Sequence, residues 1–179
     1  KHGTVVALTN TLLSRFGSKV TSPSLGMLMN NGVMWFDPAP GHPNSIIPGV
    51  RPLANMCPLV AADGKGKRYA MGGAGGRTIF PTLLQIISYV FDFGMSLEEA
   101  FLEPRLDAST DTIRIPSRAG QSVAEAVAGE FNVEIVEDGI YPVRFSLPSA
   151  VCRDTASGLN IGMAHHNSPC PAAVEEPLP

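Results

Sequence analysis

"MGGAGGRTIFPTLLQIISYVFDFG" (residues 71–94) sets four glycines within five positions directly ahead of an apolar run with helical spacing. Glycine admits positive φ and close approach at the cost of backbone order, so such a cluster at the mouth of a helix implies main-chain N–H groups that face a partner. A phosphate, an oxyanion or another strand would each serve. After the glycines, Leu83, Ile86, Ile87, Val90 and Phe91 fall at i, i+3, i+4, i+7 and i+8, one wide apolar stripe. Pro81 suits a first turn, and Gly94 closes the helix.

Both phosphate readings fail on spacing. Gly73-Ala74-Gly75 begins like a dinucleotide fingerprint, yet the third glycine would fall on Thr78. A P-loop needs lysine after its last glycine, and Gly76 is followed by Arg77. Two readings stay open: a tight strand-to-helix turn and nothing more, or N–H groups around Gly75 and Gly76 that stabilise an oxyanion at the positive end of the helix.

Outward from this stretch, "TVVALTN" (4–10) is a β-branched run expected to form a strand, and 14–26 and 37–55 read as loops, the second rich in proline. Residues 57–73 read as a hairpin turning through Asp63-Gly64-Lys65-Gly66. Ser96-Leu97-Glu98-Glu99 is a capping box that opens a second helix, ended by Pro104, and Ser122-Val123-Ala124-Glu125 is expected to open a third in the same way. Strands are expected near 112–116, 133–137, 147–152 and 159–164. Helices clustered between runs of strand make an α+β arrangement.

The 179 residues, 44% hydrophobic and 16% charged with a net charge of -3, suit one domain spanning 1–179. No basic patch invites nucleic acid, no apolar stretch spans a bilayer, and the chain reads as soluble with its compartment open. Three cysteines, Cys57, Cys152 and Cys170, lack metal-ligand spacing and read as ordinary thiols. Adjacent His165 and His166 would point to opposite faces of a strand, so they read as surface or loop residues rather than ligands. Neither a metal nor a cofactor is expected.

"TVVALTNTLLSRFGS", "GMLMNN", "IIPGVRPLANMCP" and "MGGAGGRTIFPTLLQIISYVFDFGMSLEEAFLEPRLD", in that order, resemble the small subunit of the γ-glutamyltransferase family. The resemblance runs from about residue 3 to about 110, with a weaker echo in "GLNIGMAHH". It implies an N-terminal-nucleophile (Ntn) hydrolase fold, an αββα sandwich of antiparallel sheets covered by helices, in a precursor that cleaves itself before a threonine. That threonine becomes the nucleophile and, through its free amino group, its own base. The resemblance carries Gly75 and Gly76 onto the oxyanion hole and Thr11 onto a threonine that hydrogen-bonds the nucleophile. A strand threonine bonded to neighbouring backbone is the plainer reading of Thr11.

The nucleophile's own motif, threonine followed closely by histidine, does not occur in the sequence, and Thr4 and Thr9 sit too deep in the run to replace it. The expectation is a truncated small-subunit segment whose partner is the large subunit of the same precursor, inactive alone, with a homo-oligomer as another way to cover its apolar face.

Departures fall on the substrate side. Where the family shows Asn-Gln-Met-Asp-Asp-Phe, this chain has Asn31-Gly32-Val33-Met34-Trp35-Phe36, so Trp35 replaces the aspartate that holds the substrate α-amino group. Ala54-Asn55 replaces a serine pair, and Leu13 replaces an asparagine. Asn31, Trp35 and Asn55 are therefore the expected substrate-binding residues, with Trp35 as a core aromatic the alternative. Asp37 before Pro38 fits a turn former as well as a substrate contact. Arg105 matches a family arginine, while pairing with Asp107 or capping a helix end would explain it equally. Two functions follow: an amide hydrolase or acyltransferase of altered specificity acting on a small γ-glutamyl or acyl amide, or a non-catalytic homologue kept as a binding or assembly module.

Overall fold

The computed structural model describes residues 3–140, 143–168 and 172–174. These divide into two units, Asn10–Asn55 on one side and the described residues of Lys1–Thr9 and Met56–Pro179 on the other.

The Asn10–Asn55 unit is almost all turn and loop. Its strands β1 (Thr21–Ser22) and β2 (Met27–Leu28) pair over two residues, and a short 3-10 turn covers Gly32–Trp35. Leu13, Phe16 and Lys19 all take positive φ. Gly17 is obligatory, because a Cβ there would lie 2.2 Å from the Met29 carbonyl oxygen.

The larger unit is built on a four-stranded antiparallel sheet in the order β3 (Leu59–Ala62), β4 (Lys67–Ala74), β7 (Leu147–Asp154), β8 (Asn160–Ala164). The expected hairpin is β3–β4, its turn fixed by Asp63 Oδ1 accepting from Lys65 N and Lys67 N. Register sets Leu59, Met71, Ala150 and Met163 in one row, with Tyr69 and Cys152 on the same face. Against that face pack helices α1 (Ile79–Phe91) and α2 (Leu97–Leu102), burying Leu83, Ile86 and Phe101. The Ser96–Glu99 capping box is present in both directions, Ser96 Oγ accepting from Glu99 N and Glu99 Oε2 from Ser96 N. No helix among the described residues is long and apolar enough to cross a membrane.

Three expectations are corrected. Residues 3–9 have no ladder partner among the described residues: β-branched composition favours an extended chain, and a strand also needs a neighbour's hydrogen bonds. The segment instead runs along β4, Gly3 O accepting from Arg68 Nη1 at 2.6 Å, with half-buried and exposed residues alternating. Helix α3 (Gln121–Ala128) starts two residues early, with Gly120 at φ 87 as its N-cap, so Ser122 lies in the first turn and caps nothing. Finally, β5 (Ile113–Pro116) and β6 (Val133–Val136), joined through α3, pair in parallel, so antiparallel order holds for the main sheet but not for this pair.

Candidate active site

Strand β4 ends at Ala74, and the chain reverses through Gly75 (φ 147) and Gly76 (φ 67) into a 3-10 turn, Gly76–Thr78, that continues as α1. Gly76 opens that turn, so its N–H has no acceptor within the helix and stands at the positive end of the dipole. Thr78 Oγ1 donates to Gly75 O at 2.9 Å and holds the turn shut.

The glycines also face a strand entry. A Cβ on Gly75 would lie 2.8 Å from Ser146 Cα and 2.8 Å from Thr78 Oγ1, and one on Gly73 would lie 3.0 Å from Ser146 Oγ. Ser146 is fully buried and donates from Oγ to Ala74 O at 3.0 Å. Sequence reasoning missed Ser146, because a serine ahead of a strand carries no signal that it buttresses a turn 72 residues away.

The other expected residues lie in the Asn10–Asn55 unit. Thr11 Oγ1 accepts from Leu13 N at 2.9 Å, the local bond anticipated for a plain threonine, and its hydroxyl proton remains to donate. Asn31 ties two segments: Oδ1 accepts from Ser14 N at 3.1 Å, and Nδ2 donates to Ser14 Oγ at 2.7 Å. Trp35 is half-buried, its ring folded back on Gly32, where a Cβ would come within 3.1 Å of Cζ3. Its carbonyl accepts from Asn44 Nδ2, whose Oδ1 in turn accepts from Leu53 N. Asn55 is half-buried at the unit's end. Asp37 acts as a turn former: Oδ1 accepts from Ala39 N, and Oδ2 meets His42 Nδ1, two bonds that hold its carboxyl below the usual range.

Arg105 does not pair with Asp107, which binds Arg114 at 3.2 Å. It caps α2 instead, Nη1 donating to the carbonyls of Phe101 and Glu103. The expected surface placement of the histidines is corrected for His165, which is 1% exposed. Strand β8 stops at Ala164, and the following turn stacks the rings of His165 and His166 at 4.4 Å in place of the opposite-facing arrangement of a strand. Burial and the charge of Arg105 push the His165 imidazole down to about 4.

Asp138, His165 and His166 each bring a ligand atom within 4.8 Å of the others. Asp138 is already engaged, taking Arg118 Nε on Oδ2 and Asn167 Nδ2 on Oδ1, and His165 Nδ1 accepts from Asn167 N. With two arginines acting on the same cluster, the chemistry disfavours a cation. Cys57 and Cys152 are free thiols, and Cys170 lies outside the described residues.

The gamma-glutamyltranspeptidase family profile matches residues 1–156. The chain belongs to that family. Among curated relatives, the acylase ACY 1 proenzyme of Pseudomonas sp. (strain V22) is 38% identical over 125 residues, covering 70% of this chain and 22% of the relative. The glutathione hydrolase proenzyme of Bacillus subtilis (strain 168) is 36% identical over 106 residues, covering 59% and 18%. The chain thus spans about a fifth of these relatives, 22% and 18% of their lengths. A gamma-glutamyltranspeptidase structure from Pseudomonas nitroreducens, a tryptophan-to-aspartate mutant described as highly active, matches with a TM-score of 0.74 at 26% identity, covering 98% of this chain and 95% of that one. Its relatives are therefore gamma-glutamyltranspeptidases, glutathione hydrolases and acylases made as proenzymes, and the mixed α+β fold is that of gamma-glutamyltranspeptidase chains.

Proposed function

We propose that this chain is the small-subunit segment of an Ntn amide hydrolase or acyltransferase that acts on small acyl amides and does not require a substrate α-amino group. The reading is carried by the turn at the end of β4, which sets the amide of Gly76 at the N-terminal end of a helix, where developing negative charge is stabilised. A threonine contributed by the whole protein attacks the amide carbonyl through its hydroxyl, whose proton passes to that residue's own free amino group and from there to the departing amine. The carbonyl oxygen takes up the negative charge, facing the amides of Gly75 and Gly76. The C–N bond then breaks, the amine leaves with a proton, and the acyl ester passes to water or a second amine. Thr11 donates a hydrogen bond from its hydroxyl to the nucleophile's oxygen and keeps its proton. The large subunit of the same precursor supplies the remaining walls, and the single domain 1–179 works only in that assembly.

Trp35 sets the specificity in this reading. An indole offers a substrate ammonium about 0.5–2 kcal/mol through its ring quadrupole, less than a buried carboxylate supplies. The tryptophan-to-aspartate mutant of the Pseudomonas nitroreducens relative, described as highly active, supports such an exchange as a lever on activity. The test is kcat/KM of the whole processed protein for a γ-glutamyl anilide against the matched glutaryl anilide. The expected ratio is below about tenfold, rising in Trp35→Asp. A preference of about a thousandfold for the γ-glutamyl compound, about 4 kcal/mol, overturns this role for Trp35. No turnover of either compound by a correctly processed protein favours the binding-module reading.

A further inference from the structure

We propose that Arg105 and His165 hold a compact monovalent anion, a halide or small carboxylate, in the interior where α2 packs against β8. Arg105 is 2% exposed and carries a fixed charge, yet no ion pair of the described residues includes it. Its Nη1 is spent on two carbonyls at the end of α2, and its Nε has no acceptor. His165 Nδ1 accepts from Asn167 N at 3.2 Å, which leaves the proton of the neutral ring on Nε2, and that atom is also buried without a partner.

The two unpaired donors belong to one neighbourhood: Glu103 O accepts from both Arg105 Nη1 and Arg118 Nη2, Arg118 Nε binds Asp138 Oδ2, and Asp138 and His165 bring ligand atoms within 4.8 Å of each other. Asp138, the acid in that neighbourhood, has Oδ2 on Arg118 Nε and Oδ1 on Asn167 Nδ2. A buried N–H without an acceptor is costly, and a buried charge without a counter-ion more so. A water molecule would satisfy both N–H groups and leave Arg105 and Arg118 with the one carboxylate of Asp138 between them. A compact anion answers both demands, and the positive surroundings that disfavour a metal ion favour it.

Two measurements on the whole protein decide the matter. In crystals soaked in sodium bromide, an anomalous peak is expected in hydrogen-bond contact with both Arg105 Nε and His165 Nε2. In solution, chloride or formate, compared with sulfate at equal ionic strength, is expected to raise the unfolding midpoint saturably, by about 3–5 °C at about tenfold excess over the dissociation constant. That response should vanish in His165→Phe and Arg105→Met. If Arg105→Met fails to fold, His165→Phe and the bromide map still decide. An ordered water in place of the peak, a peak with no saturable response in solution, or a response unchanged in the variants overturns the proposal.

Discussion

The two units reach definite structures by different means. The larger one buries an apolar sheet face under two helices, with Leu83, Ile86 and Phe101 at or below 1% exposure. In Asn10–Asn55 the only buried residues are Gly17 and Ser45, while Phe16, Leu25, Met27 and Leu53 are exposed. That unit is tied by Asn31, Asn44, Asp37 and Ser45, whose side chains bond loop backbone. Hydrophobic burial is spread over many contacts, whereas each of these ties is a single point of failure. The departures at Leu13, Trp35 and Asn55 fall in the tied unit, where a substitution need not break a core.

The contrast is broken most directly by paired truncations. Phe101→Ala should cost about 3–5 kcal/mol in urea unfolding. Trp35→Ala should cost less than about 1.5 kcal/mol; equal costs would mean that the smaller unit has a core of its own. Next in size is Gly75→Ala in the whole processed protein. Kinetic assay should find kcat lowered about 10²-fold, and unfolding should show a loss of about 2 kcal/mol, because φ 147 and the approach of Ser146 leave no room for a methyl group. Unchanged turnover in a folded variant would reduce the stretch to a plain turn.

The third prediction concerns pH. His165 titrates near 6.5 when unfolded and near 4 when folded, so between those values the unfolded chain binds the extra proton. Stability is full above about 6.5 and falls by about 3 kcal/mol as the pH drops to 4. Denaturant titrations in sulfate buffer should show this slope flattened in His165→Phe. The smallest effect is expected from Asn44→Ala, which removes the bonds to Trp35 O and Leu53 N. Local opening should become easier by about 1–2 kcal/mol, read as faster exchange of the Leu53 amide, with global stability little changed.

The parts legible in the sequence were those with local causes. The Asp63 turn, the stripe from Leu83 to Phe91 and the Ser96–Glu99 box each specify their structure within about ten residues. Residues 4–10 misled because composition reports extension but not partnership. Ser122 misled because Gly120, already at φ 87, had opened the helix. His165 was out of reach, since its burial depends on where β8 stops and on an arginine at the end of α2. At the candidate site the glycine turn could be seen in advance. Ser146 could not, because its role arises only when β7 reaches β4.

That late arrival governs the order in which the molecule can assemble. The β3–β4 hairpin, α1 and α2 are neighbours in sequence and close short loops, whereas β4 meets β7 only through contacts such as Ala74 with Ser146, 72 residues apart. During synthesis the hairpin must therefore wait with the β7-side edge of β4 unpaired until the chain has grown beyond Asp154. Over that interval the nascent protein presents an open strand edge to any other chain within reach, so the slow step of folding coincides with the period of greatest exposure to aggregation.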